Sequence, residues 1–70
     1  MLPKGFGQNV RALRLIRGMS QRALAAQVGC SPPMLVAIEL GRQMPSAGKV
    51  PLFARALDTS IDALFDEGAR

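Results

Sequence analysis

Two glycine and serine pairs constrain this chain more than anything else in it: Gly18 followed by Ser20, and Gly29 followed by Ser31. Glycine takes the left-handed conformation that closes a helix, and a serine hydroxyl accepts a hydrogen bond from the free amides that open one. Each pair therefore reads as a stop and a restart. Between them, Leu24, Ala25 and Val28 share one stripe at helical spacing, which predicts a helix over about residues 20–28. Upstream, Phe6, Val10, Leu13 and Arg14 repeat that spacing, so a first helix is expected over roughly 6–17. Downstream, Ser31 is followed by Pro32 and Pro33, which suit a first helical turn because an N–H there has no partner to lose. The third helix is expected to run to about Leu40 and to end at Gly41.

Gly41 to Lys49, with Pro45, Ser46 and Gly48, has loop composition. Ser46 looks like a cap, yet a helix begun there would hold Pro51 in its interior, losing a backbone bond and meeting the carbonyl four residues back. The fourth helix is therefore expected from Lys49 or Val50, burying Val50, Phe53, Ala54 and Leu57. Thr59 or Ser60 then caps a short last helix carrying Ile61, Leu64 and Phe65. No segment alternates as a strand would. The expectation is an all-α, compact five-helix domain spanning residues 1–70. With 70 residues, such a chain buries only about 60% of its unfolded surface, which favours a compact all-helical solution or association with a second copy.

The inventory excludes most chemistry. There is no histidine, and Cys30 is the single cysteine, so zinc sites, disulfide frameworks and Ser-His or Cys-His nucleophile pairs all lack parts. No catalytic residue, metal or cofactor is expected, and Cys30 reads as a small core residue. Without a long apolar run or a signal segment, the expected location is cytoplasmic, with no membrane partner. Charge is uneven: residues 1–38 hold Lys4, Arg11, Arg14, Arg17 and Arg22 and no acid. The remainder sets Arg42, Lys49, Arg55 and Arg70 against Glu39, Asp58, Asp62, Asp66 and Glu67. A basic half attracts polyanions, nucleic acid first. Charge alone fits a solvated basic face equally well.

A capped helix, a glycine turn and a second capped helix, with Ala25, Gly29 and Ile38 at close-packing positions, is the composition of a helix-turn-helix over about residues 20–40. With its flanks, nearly the whole chain resembles the lambdoid phage repressor and Cro-like family, the XRE-type helix-turn-helix domains. The resemblance is carried by Val10-Arg11-Ala12-Leu13-Arg14, Gly18-Met19-Ser20-Gln21, Leu24-Ala25 and Val28-Gly29-Cys30-Ser31. It continues through Ile38-Glu39, Gly41-Arg42, Pro45-Ser46, the run from Val50 to Leu57 and the run from Ile61 to Phe65. It implies a DNA-binding domain that works as a two-fold homodimer on double-stranded DNA and regulates transcription, most simply as a repressor. It does not imply an enzyme.

Residue roles follow from that resemblance. The counterpart of Gln21 holds a phosphate at the positive end of the second helix, alongside free backbone amides. Arg42 and Lys49 after the third helix, and Arg11 or Arg17 near the first, are placed for neighbouring phosphates, with solvated charge the competing reading for each. The family pairs the positions of Arg14 and Glu39, which implies a structural ion pair. The third helix would face the bases, with Ser31, Pro32, Pro33, Met34 and Ala37 as the DNA-binding set. This chain departs from the family there, because Pro32, Pro33 and Ala37 stand where phage repressors carry base-reading amides, leaving apolar contact with thymine methyls. The same surface, extended by Val36, Leu40 and Met44, also fits a protein partner. Leu52, expected to face outward, is assigned with Phe65 and Met44 to a dimer contact.

Overall fold

A computed structural model of the chain describes residues 5–66. Five helices follow one another: α1 (Phe6–Ile16), α2 (Gln21–Val28), α3 (Pro32–Glu39), α4 (Val50–Ala56) and α5 (Ile61–Leu64). No strand occurs among the described residues. The stops are local: Gly18, Gly29 and Gly41 take φ of 70°, 74° and 80°. The starts are serine caps, with Ser20 Oγ accepting from the Ala23 amide at 3.0 Å, Ser31 Oγ from Met34 at 3.2 Å and Ser60 Oγ from Ala63 at 3.0 Å. The Ser46 hydroxyl caps nothing, and a 3-10 turn over Ala47–Lys49 follows it. That turn lets α4 begin at Val50, so Pro51 falls in its first turn where its missing N–H costs nothing.

The helices close around Val10, Leu24, Val28, Leu35, Ile38, Phe53, Leu57 and Leu64, all fully buried. Phe6 joins this core, its ring edge-on to Phe53 at 5.4 Å and tilted against Phe65 at 5.1 Å. α1 crosses α3 at Gly7, where a Cβ would collide with the Ile38 carbonyl. Only glycine permits two backbones to approach so closely. α2 packs against α3 on one side and α4 on the other.

The corner between α4 and α5 is held differently. Asp58 occupies the left-handed region at φ 53°. Arg17 reaches from the end of α1 to donate to the Leu57 carbonyl at 2.7 Å and the Asp58 carbonyl at 3.1 Å. Asn9 Nδ2 donates to the carbonyls of Leu64 at 2.8 Å and Asp66 at 2.7 Å. Leu52 does not face outward: it is half-buried and packs against the core, because α4 lies between α2 and the last turns and leaves that side little open surface.

Candidate nucleic-acid interface

The alternation of helix stops and caps sets α2 and α3 across the turn at Gly29, and packing decides which face of α3 is left over. Leu35, Ile38 and Glu39 point into the core. Pro33, Val36, Ala37 and Leu40 then fall on the opposite stripe, at the i, i+3, i+4, i+7 spacing of one helix face. Val36 and Leu40 are exposed, Leu40 at 61%, while Ala37 is half-covered. Pro32 and Pro33 are exposed at the start of the helix. Met34, expected among the DNA-facing residues, is half-buried and packs against the core, since its position lies on the edge of the Leu35 and Ile38 stripe.

The N-terminus of α3 is chemically closed. Pro32 and Pro33 have no N–H, the Met34 amide is taken by Ser31 Oγ, and the Leu35 amide by the Ser31 carbonyl at 3.0 Å. The start of α2 is open by comparison. Ser20 takes the Ala23 and Leu24 amides, which leaves those of Gln21 and Arg22 at the positive end of the helix dipole.

Beneath this surface lies a buried charge cluster. Arg14 Nε donates to Glu39 Oε2 at 2.7 Å and Arg14 Nη2 to Glu39 Oε1 at 3.1 Å, a two-pronged pair with Arg14 only 7% and Glu39 only 5% exposed. Arg14 Nη1 also donates to the Met19 carbonyl at 2.9 Å, just ahead of the α2 cap. Gln21 Nε2 completes the cluster by donating to Glu39 Oε1 at 3.1 Å. No buried side-chain polar atom among the described residues is left without a partner. The cluster ties α1, the first residue of α2 and the last residue of α3 together. Gln21, expected on a phosphate, thus keeps one amide hydrogen for an outside ligand and spends the other on Glu39.

The remaining cations divide in two. Arg11, Arg42 and Arg55 are exposed, as is Arg22 beside Gln21, which no motif singles out although its place just after the Ser20 cap is a usable signal. Arg17 and Lys49, expected on phosphates, have carbonyl partners within the chain. Arg17 binds the carbonyls of Leu57 and Asp58 just past α4, and Lys49 Nζ donates to the carbonyls of Gly29 at 3.0 Å and Val28 at 3.4 Å. Helix C-termini carry unpaired carbonyls and partial negative charge, which attract both cations.

Cys30 is half-buried in the turn, and burial pushes its thiol above the ordinary value against the opposing charge of Lys49. Met44 is 53% exposed and borders a shallow groove shared with Phe6, Ile38 and Leu40; Phe65 is 46% exposed. No helix among the described residues is long and apolar enough to cross a membrane.

A helix-turn-helix family profile matches residues 10–64. YazB of Bacillus subtilis strain 168, an uncharacterized HTH-type transcriptional regulator, is 36% identical over 59 residues, which cover 84% of this chain and 86% of that protein. The restriction-modification controller protein C.AhdI from Aeromonas hydrophila superposes with a TM-score of 0.79 at 35% identity, covering 86% of this chain and 91% of that one. The DNA-binding domain of the P22 C2 repressor gives a TM-score of 0.83 at 28% identity, covering 91% of this chain and 84% of that one. On the α2–turn–α3 geometry and these matches, the chain belongs to the XRE-type helix-turn-helix family of DNA-binding transcriptional regulators.

Proposed function

We propose that this chain binds duplex DNA as a two-fold homodimer and represses transcription by occluding a promoter. The observation that carries the reading is the distribution of acids. Between residues 5 and 57 the only carboxylate is Glu39, and it is buried against Arg14, while Arg11, Arg22, Arg42 and Arg55 stand exposed with no carboxylate paired to them among the described residues. The exposed acids Asp58, Asp62 and Asp66 lie on or beside α5. Such a distribution draws a polyanion to the acid-free segments and away from α5.

In this reading α3 enters the major groove. The Gln21 and Arg22 amides, the free hydrogen of the Gln21 side chain, and the Arg42 and Arg11 guanidiniums grip the phosphates on either side. Phe65 and Met44 are the apolar residues offered to a second copy, joined by Ile61, which is 42% exposed on α5. Leu52 contributes at most an edge. A dimer of this kind sets its two α3 helices roughly 34 Å apart, one turn of duplex.

The test is a fluorescence-anisotropy titration against the intergenic DNA beside the gene, at two salt concentrations with nonspecific competitor. Affinity is expected to survive competitor and to fall steeply with salt. Arg42→Ala should weaken binding to every sequence alike and reduce the salt slope by about one, with the fold intact, and Gln21→Ala should weaken it in the same uniform way. A second reading has its own observation, the apolar outward stripe of α3, which would serve a protein partner. Binding to a partner protein that ignores salt, with no binding to DNA, would favour it.

A further inference from the structure

Resting on the DNA-binding reading, we infer that α3 selects its site by the C5 methyl groups of thymine, so that the DNA it prefers is defined by where major-groove methyls lie. Among the groups that base pairs expose in the major groove, hydrogen-bond donors and acceptors predominate, and the thymine methyl is the apolar exception. The outward stripe of α3 has nothing with which to answer a donor or an acceptor. Its side chains are Pro33, Val36, Ala37 and Leu40. Its backbone is equally mute, because Pro32 and Pro33 carry no N–H and Ser31 takes the Met34 and Leu35 amides. The Ser31 hydroxyl, at the edge of the stripe, keeps its hydrogen and one lone pair.

Such a surface discriminates in two directions. Set against a guanine or cytosine edge, it strips water from polar atoms and returns no hydrogen bond, which is costly. Set against a methyl, it buries apolar area on both sides. The repulsive half of that difference matters as much as the attractive half, since specificity is a difference between sites. The exposed arginines around the stripe hold the duplex by its phosphates and leave base choice to the methyls.

The experiment begins with selection of preferred duplexes from a random-sequence library by the full chain. Selected sites are expected to carry thymine at the positions facing α3. Replacing those thymines by deoxyuridine removes only the methyl, and affinity should fall about fourfold for each methyl lost. Val36→Ser is expected to erase the thymine-over-uracil difference at its own position while keeping the salt dependence, with a thermal melt checking that the variant stays folded; Pro33→Ala is the second variant. Tight, selective binding that is equal for thymine and deoxyuridine duplexes overturns the inference and leaves the DNA-binding reading standing. Failure to bind any duplex overturns both.

Discussion

The crossing of α1 over α3 and the corner between α4 and α5 each join segments far apart in the chain, by opposite means. At the crossing, Gly7 lets backbone meet backbone, and Arg14 and Glu39 satisfy each other out of reach of water, with Gln21 joining them from the edge. At the corner, Arg17, itself exposed, and the half-buried Asn9 reach across to carbonyls at the edge of the core, and Asp58 accepts a left-handed backbone. Buried partners have no substitute, and exposed ones do. Hydrogen bonds of similar length should therefore differ in weight according to where they sit.

The hardest way to break that contrast is at Glu39. Glu39→Ala should cost about 3–5 kcal/mol in urea unfolding, because it strands Arg14 and removes the partner of Gln21. A wild-type unfolding curve would overturn the assignment. Replacing both charges by apolar residues of similar volume should do far less harm, which separates the worth of the pair from the penalty of an orphan. Next comes Gly7→Ala, expected near the upper end of about 1–3 kcal/mol, since the new methyl can be accommodated only by moving two helices apart. Thermal melts of the two proteins check it. Smallest is Arg17→Ala at the corner, where solvent replaces most of what is lost and about 1 kcal/mol or less is expected. A loss as large as that for Glu39 would show the corner to be as dependent on its partners as the crossing.

What the sequence made readable was whatever depends on neighbours a few residues away. Gly18 with Ser20, and Gly29 with Ser31, mark their helix ends by local backbone chemistry, and those ends stand within a residue or so of the expected bounds. The apolar stripes named most of the core for the same reason. Gly7 went unnoticed because its meaning depends on which helix crosses it, and no spacing rule carries that. The carbonyl partners of Arg17 and Lys49 were not legible, because a cation near a helix end has the same sequence signature whether it meets a phosphate or a carbonyl. Their partners lie 40 and 20 residues away. Leu52 and Met34 show the remaining weakness: both sit at the border of a buried stripe, and half-burial is decided by the neighbouring helix.

The turn between α2 and α3 is closed from outside itself, by Lys49 Nζ on the Gly29 carbonyl. The helix-turn-helix is therefore no detachable cassette. A peptide cut to residues 20–40 would lose that ammonium and the arginine that neutralises Glu39, and would leave Leu24, Val28, Leu35 and Ile38 bare. Redesign of the outward face of α3 is confined to Pro33, Val36, Ala37 and Leu40, with every residue beneath it kept in place.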